Sequence, residues 1–388
     1  MIHGRYGDGM VNSGLDGIVA ATTRLSHVDG ERGELVIAGY PLSELAGNAT
    51  FEETTWLLWH GDLPSRPRLD TFRADLAAAR ALPPATVMLL AECARGGLDA
   101  MDALRIAAGT ISMTSNEACA IVAQFPTIVA TFWRLRRGAG PIAPRRDLGH
   151  AENFLYMLGG EAPDPERVRA LETYLNTVID HGLSASTFTA RVITSTGSDL
   201  VSAVVGALGA LKGPLHGGAP GPALDMVFEI GDASRAEEIL RRKIEAGDKL
   251  MGFGHRVYRV RDPRADVLAA AAERLYTRAG DMSLYTLARS VEATAIRLLE
   301  EYKPGRRLQT NVEFYTALLL HGLGLDAALF TPTFAVSRVS GWIAHAFEQS
   351  RANRIIRPQS EYSGPRDRKW VPLPGRMETA SEPVGPCG

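Results

Sequence analysis

The sequence contains few cysteines, and their spacing excludes two common kinds of site. Cys93, Cys119 and Cys387 are the three cysteines among 388 residues. They form no CxxC pair and no metal-ligand spacing, and an odd number does not make a disulfide framework. A reducing compartment is the simplest interpretation, so we expect a cytoplasmic protein.

Long apolar runs are also lacking. The N-terminal stretch MIHGRYGDGMVNSGLDG is polar and glycine-rich, unlike a signal peptide. No segment approaches the roughly 18 continuous apolar residues that a membrane helix requires. The sequence therefore predicts no membrane association.

An excess of charge of one sign is absent as well, since the formal net charge is -2. Nothing marks the whole chain as a nucleic-acid binder, and any anion site must be built from local arginine clusters. There is no P-loop, no dinucleotide-binding fingerprint and no metal spacing above chance. We expect neither a metal nor a resident cofactor.

Strand signals are scarce. Residues 24–28 and 34–37 flank a turn at Asp29-Gly30 and predict one small hairpin. Strands and helices do not alternate along the rest of the chain, which argues against a parallel sheet. The predicted class is all-α with a minor N-terminal β-hairpin.

Helix signals dominate instead. A capping box pairs a serine or threonine with a glutamate three residues later, and proline is favoured at the first helical position. Such signals occur at Thr50 with Glu53, at Asp164 with Pro165, and at Ser234 with Glu237. Apolar residues at helical spacing follow each of them, which predicts amphipathic helices packed in a core.

The length permits two or three domains, because one core rarely grows beyond roughly 250–300 residues. Breaks rich in proline and glycine fall at 138–147, 212–222 and 304–306. We expect residues 1–14 to be flexible, and the tail from Ser363 to wrap a surface or be disordered.

His216 lies in the segment KGPLHGGAPGPALDM, among four glycines and three prolines. Glycines let a backbone approach a ligand closely. A helix start predicted at Pro222 would favour a neutral imidazole, which still donates a hydrogen bond to a carbonyl oxygen. The alternative is an ordinary histidine in a glycine-rich turn.

A second segment, LMGFGHRVYRVRDPRADVL, combines His255 with Arg256, Arg259, Arg261 and Arg264. Such a cluster suits phosphates and a carboxylate. The alternative is a solvated basic loop.

The third segment holds Glu313 between Val312 and Phe314, behind the basic pair Arg306 and Arg307. A carboxylate in apolar surroundings is a reasonable general base. The alternative is a solvated glutamate in the first helical turn.

Three further residues carry weaker signals. His181 precedes a run of small residues that permits tight helix packing, while Arg338 and Arg357 could each bind a carboxylate or be surface charges.

Together these segments resemble the citrate synthase family, in its short bacterial citrate synthase and 2-methylcitrate synthase type. GPLHGGA, GFGHRVY followed by DPR, NVEFY, SRVSGW and RPQS occur in the family's order. The spacings also match, with 39 residues from His216 to His255 and 58 from His255 to Glu313. The likeness runs from about Leu15 to Gly364.

The resemblance implies three catalytic roles. His216 would hydrogen-bond the thioester carbonyl of acetyl-CoA, Glu313 would remove the methyl proton, and His255 would polarise the ketone of oxaloacetate. The family usually has aspartate where this chain has Glu313, so the reach of the base differs.

The resemblance also implies binding roles. The positions that match oxaloacetate-binding residues are His181, Arg264, Arg338 and Arg357, and those near the CoA phosphates are Arg259 and Arg306. In the family, the residue matching Arg357 reaches into the neighbouring site of a homodimer.

The implied fold has two domains, with a large domain over 1–211 and 315–388 and a small domain over 212–314. The implied enzyme is an acyltransferase of the tricarboxylic acid cycle, a citrate synthase that uses CoA thioester as substrate. The alternatives are a 2-methylcitrate synthase using propionyl-CoA, a citryl-CoA lyase, and a weakly active paralogue that acts as a binding protein.

Overall fold

The computed structural model describes residues 13–15, 17–111, 116–217 and 220–375. Residues 1–355 form one compact unit and residues 356–388 a second. Most of the segment predicted to be flexible, 1–14, lies outside the described residues, and so do the last two positions of GPLHGGA. The domain division at 212 and 314 stays a prediction.

A small sheet lies near the N-terminus. Strand β1 (Ser26–Asp29) pairs antiparallel with β2 (Glu34–Ile37), which confirms the predicted hairpin. A third strand, β3 (Tyr40–Pro41), pairs with β2 and was not predicted. It has two residues and ends in proline, which sheets accept at an edge such as this one.

Helices form most of the remaining structure, which confirms the predicted all-α class. Within the described residues the α-helices are α1 (Leu42–Ala46), α2 (Phe51–His60), α3 (Arg66–Ala78), α4 (Pro84–Arg95), α5 (Ala100–Ala108), α6 (Glu117–Arg136), α7 (His150–Gly159), α8 (Pro165–Val178), α9 (Ala185–Ser195), α10 (Leu200–Leu211), α11 (Pro220–Ile230), α12 (Ala236–Glu245), α13 (Pro263–Ala279), α14 (Ser283–Tyr302), α15 (Val312–Gly322) and α16 (Phe330–Arg351). Short 3-10 helices span Ser13–Leu15, Ala233–Arg235, Ala327–Leu329 and Leu373–Gly375.

Two of the three capping signals read from the sequence are confirmed, and the helix start predicted at Pro222 lies two residues inside α11. The Thr50 hydroxyl accepts the N–H of Glu53, and the Glu53 carboxylate accepts the N–H of Thr50, so a complete capping box begins α2. That helix ends at Gly61, whose φ is 94°. Asp164 caps α8 by accepting the N–H of Glu166 at 2.8 Å.

The capping box predicted at Ser234 and Glu237 is wrong. Asp232 accepts hydrogen bonds from the N–H and the hydroxyl of Ser234, which hold that serine in the 3-10 helix Ala233–Arg235. Helix α12 then begins at Ala236 without a side-chain cap. The charged carboxylate two residues earlier is the stronger acceptor and captures the serine.

Helix α6 is the one helix within the described ranges that is long and apolar enough to span a membrane. About 67% of that stretch is buried inside the protein. It packs against α4, α5, α7 and α16, as a core helix does.

Two helix packings position the residues singled out above. Helix α16 packs against α8 and α9, and α13 packs against α15 and α8. These contacts bring the start of α9, the middle of α16 and the starts of α13 and α15 into one region.

The second unit is described over 356–375, where regular structure is confined to the 3-10 helix Leu373–Gly375. Within it the Tyr362 hydroxyl donates to the carbonyl of Pro365 at 2.8 Å. The prediction that the tail wraps a surface or is disordered stays untested.

His150, at the start of α7, makes the folded state sensitive to acid. Its ring packs 4.5 Å from Phe51, is 1% exposed, and finds no hydrogen-bond partner for either nitrogen among the described residues. Burial, and then the charge of Arg80, lower its pKa to about 3.

We expect His150→Gln to flatten the acid dependence of stability. An unfolded histidine has a pKa of roughly 6.5, so as pH falls from there towards 3 the unfolded state binds one more proton, and stability declines by about 1.4 kcal/mol per pH unit. Unfolding in urea at pH 7 and pH 5.5, for wild type and variant, measures the difference. Equal pH dependence in both proteins would contradict it.

Candidate active site

His216 is held from one side by the start of α9. Its Nε2 lies 2.8 Å from the hydroxyl of Ser186 and 3.4 Å from the backbone nitrogen of that residue. The Ser186 hydroxyl in turn accepts a hydrogen bond from Trp342 Nε1 on α16, at 3.1 Å. The loop after His216 is tied to the same helix, because the Thr331 hydroxyl donates to the carbonyl of Gly217.

This arrangement fixes which His216 nitrogen carries the proton. A backbone N–H can only donate, so Nε2 is the acceptor and Nδ1 holds the hydrogen. Burial, and then the charge of Arg338, lower the pKa of His216 to about 4. The imidazole is therefore neutral at pH 7 and presents an N–H donor from Nδ1.

His255 is brought beside α15 by a short antiparallel contact. Residues 252–254 run against 309–311, with a bridge between Phe253 and Thr310 and a 2.7 Å hydrogen bond from Gly254 N–H to the carbonyl of residue 309. Gly254 has a φ of 83°, and Gly252 one of 88°, a conformation that glycine adopts without strain.

The protonation of His255 is fixed from the opposite nitrogen. Its Nδ1 accepts the backbone N–H groups of Val257 (2.9 Å) and Tyr258 (3.1 Å), so Nε2 carries the hydrogen. Burial, and then the charge of Arg264, lower the pKa of His255 to about 4. Arg264 Nη2 lies 3.3 Å from Nε2, so two donor groups lie side by side in this tautomer.

Glu313 lies half-buried in the first turn of α15. Its N–H is capped by the side chain of Asn311, which also donates to the carbonyl of Gly254. Burial raises the pKa of Glu313 to about 7, against the charge of Arg264. Of the two interpretations of this glutamate, the structure favours a perturbed carboxylate over a solvated one.

Arg264 and Arg338 supply buried positive charge. Arg264 is 4% exposed and pairs with Asp262, which also accepts the N–H of Val312 and so joins α13 to α15. Arg338 is 1% exposed and donates from Nε to the carbonyl of Val178. Burial lowers the pKa of Arg338 to about 10, so it stays charged at pH 7.

His181 completes the cluster. Its Nε2 lies 3.1 Å from the hydroxyl of Tyr258, and its ring centroid is 5.7 Å from that of His255. Burial, then Arg264 and Arg338, lower its pKa well below the usual range. The segment is anchored by Asp180, which is fully buried and hydrogen-bonded to His345.

Six of the side chains predicted for catalysis and for oxaloacetate binding lie in the first unit. They are linked to one another by direct contacts or by electrostatic interactions, which for His216 means the charge of Arg338. Arg259 and Arg306 are exposed. Arg357 is also exposed and belongs to the second unit. The roles of all these residues stay predictions at this point.

The arginine cluster behind His255 does not act as a single group. Arg261 forms ion pairs with Asp266 and with Glu292. Its guanidinium is therefore paired inside the protein, so this member of the cluster fits neither a phosphate ligand nor a solvated loop residue.

Sequence reasoning missed the residues that orient the histidines. Ser186 lies 30 residues before His216, and Trp342, which donates to Ser186, lies 156 residues after that serine. Nothing in the local sequence pattern distinguishes either residue. Asp262 could have been found, since an aspartate followed by proline is a common pattern at a helix start, as at Asp164 and Pro165. Among the residues that the structure describes, no cluster of His, Cys, Asp or Glu could hold a metal ion.

Comparison with known proteins assigns the chain to a family. The family model described as "Citrate synthase, C-terminal domain" matches residues 14–359. The chain belongs to the citrate synthase family, whose members are acyltransferases.

Individual relatives match this chain over almost its full length. The chain is 41% identical to citrate synthase 2 of Bacillus subtilis, covering 94% of this chain and 98% of the relative. It is 40% identical to 2-methylcitrate synthase of Mycobacterium tuberculosis, with 94% and 93% covered. A solved citrate synthase from Thermoplasma acidophilum, in ternary complex with carboxymethyl coenzyme A and oxaloacetate, superposes with a TM-score of 0.86 at 30% identity, covering 94% of this chain and 99% of that one.

Proposed function

We propose that this protein is a citrate synthase that condenses acetyl-CoA with oxaloacetate to give citrate and CoA. One observation carries the proposal: two neutral histidines, each with its proton fixed on one nitrogen, lie in the same charged site as a carboxylate whose pKa is about 7. This is the set of groups that enolisation of a thioester and addition to a ketone require.

Enolisation needs a base and a donor. A thioester methyl is a weak carbon acid, so the developing enolate oxygen needs a preplaced hydrogen bond. Glu313 is the base, and a pKa near the working pH suits it to accept a proton. His216 donates from Nδ1 to the thioester oxygen while remaining neutral.

Addition needs an activated ketone and an oriented diacid. His255 donates from Nε2 to the ketone oxygen of oxaloacetate. The Nη groups of Arg338, which make no hydrogen bond among the described residues, suit a carboxylate fork. Arg264 and His181 supply further donors. Hydrolysis of the resulting citryl thioester then releases citrate and CoA.

The CoA moiety extends from this site towards solvent. Arg259 and Arg306 are exposed, and their guanidinium groups suit phosphates. We propose them as CoA ligands on the family likeness. On the same ground we propose a cytoplasmic homodimer in which Arg357 enters the neighbouring site.

A second candidate is 2-methylcitrate synthase, because the relative with that name is nearly as similar as the citrate synthase, at 40% against 41% identity. One extra methylene in an apolar pocket discriminates by only about 1–3 kcal/mol. Comparing kcat/KM for acetyl-CoA and propionyl-CoA, each with oxaloacetate, separates the two candidates.

We expect the purified protein to release CoA thiol from acetyl-CoA only when oxaloacetate is present. The reason is that the site offers donors for both substrates, and productive geometry requires both to be bound. A thiol-reactive dye measures the release, with omission of oxaloacetate and omission of protein as controls. Release no faster than without protein, for either acyl-CoA, would refute the enzymatic proposal.

A further inference from the structure

A buried carboxylate on α14 takes part in none of the steps above. Glu292 is 3% exposed, and its two oxygens accept four hydrogen bonds. Oε1 accepts from Arg261 Nη1 (2.5 Å) and the Thr310 hydroxyl (2.7 Å). Oε2 accepts from Arg289 Nη1 (3.0 Å) and the Tyr315 hydroxyl (2.5 Å).

Two of these donors flank the proposed base. Thr310 precedes Glu313 by three residues and Tyr315 follows it by two, so Glu292 holds the chain on both sides of the start of α15. Thr310 also forms the antiparallel bridge with Phe253, two residues before His255.

A third donor, Arg261, lies next to the buried ion pair of Asp262 and Arg264. Arg261 directly precedes Asp262, the partner of Arg264. One carboxylate thereby bonds directly to the segments that carry Arg264 and Glu313, and Thr310 connects it to the segment that carries His255. These are the segments on which the proposed base and the proposed ketone donor lie.

Such a cluster contributes more to the placement of its members than to the free energy of unfolding. A buried ion pair contributes little net stability, because desolvation offsets the attraction. A fully satisfied network nevertheless restricts its members to one arrangement. For proton abstraction, placement matters strongly, since a displacement of about 1 Å costs on the order of 100-fold in rate.

We propose that Glu292 is a positioning residue that fixes the base Glu313 relative to the acyl methyl group. This inference rests on the proposed function and adds to it a residue that touches neither substrate. Glutamine at this position would keep the shape but replace one oxygen by an N–H₂ group that faces two of the four donors, so the network would rearrange.

The test compares Glu292→Gln with Glu300→Gln, which makes the same change at an exposed position of the same helix. We expect Glu292→Gln to lower kcat by about 10–100-fold, because the base is displaced. The KM for oxaloacetate should stay near wild type. Glu300→Gln should match wild type in both.

The deuterium isotope effect on kcat, measured with acetyl-CoA bearing a trideuterated methyl group, separates positioning from general support of the fold. A displaced base slows proton transfer selectively, so the isotope effect should rise in Glu292→Gln. A loss of folded protein alone would lower the apparent activity and leave the isotope effect unchanged, and that result would overturn the proposal.

Tyr315→Phe provides a second variant in which the ion pairs of Glu292 remain and folding is less at risk. We expect a smaller fall in kcat with a raised isotope effect. Wild-type values of kcat and isotope effect in both Tyr315→Phe and a folded Glu292→Gln would refute positioning. An inactive wild-type protein would instead refute the proposed function.

Discussion

Glu313→Gln is expected to lower kcat by about 10²–10⁴-fold, the usual contribution of a general base. Glutamine keeps the shape of the side chain but cannot accept the methyl proton. Steady-state assay of CoA release measures the effect, with Glu300→Gln as the control for removal of one negative charge. Wild-type turnover in Glu313→Gln would mean that Glu313 is not the base.

The shorter side chain of Glu313→Asp tests how the site is adapted to its unusual base. Asn311 and Asp262 hold the backbone at the first turn of α15 by accepting the N–H groups of Glu313 and Val312. An aspartate at position 313 would therefore leave its carboxylate too far from the methyl group. We expect activity in the order Glu, then Asp, then Gln, with a loss on the order of 100-fold per ångström. A rate in Glu313→Asp well above wild type would favour the weakly active paralogue.

The same residue should set the acid limb of the pH profile. A carboxylate with a pKa of about 7 must lose its proton to act as a base, so kcat/KM of the wild type should fall as pH drops below 7. His216 and His255, with pKa values of about 4, stay neutral over that range.

His255→Ala is expected to lower kcat by about 10²–10³-fold, the value typical of one donor to a developing oxyanion. In the proposed mechanism its Nε2–H donates to the ketone oxygen, where negative charge grows during addition. Binding of CoA should change little, because the groups proposed to bind CoA are the exposed side chains of Arg259 and Arg306 and not the imidazole. Turnover and CoA affinity, compared with the exposed His60→Ala, measure both effects. Near wild-type turnover would remove His255 from the mechanism.

Local signals in the sequence predicted the helices well where caps and apolar spacing agree. Helix α2 begins at its capping box and α8 after Asp164, because both depend on contacts within four residues. The start of α12 was wrong, since Asp232 competes for Ser234. Strand β3 was missed because two residues carry no pattern.

The site was predictable as a set of motifs and much less as a geometry. The segments that carry His216, His255 and Glu313 follow from family likeness. The hydrogen bond of Ser186 and the burial of Glu292 depend on packing between distant helices, which no local pattern encodes. For the same reason the fate of Arg261, paired inside the protein, could not be read from its basic neighbours.

The antiparallel contact between 252–254 and 309–311 bears on the order in which the protein folds. It closes a loop that includes α13 and α14, whereas the helices themselves depend on neighbours a few residues away. Contacts of long sequence separation form late, because the loop entropy must be overcome first. We therefore expect a refolding chain to regain its helical content before its turnover, and mild denaturant to abolish activity while most of the helices persist.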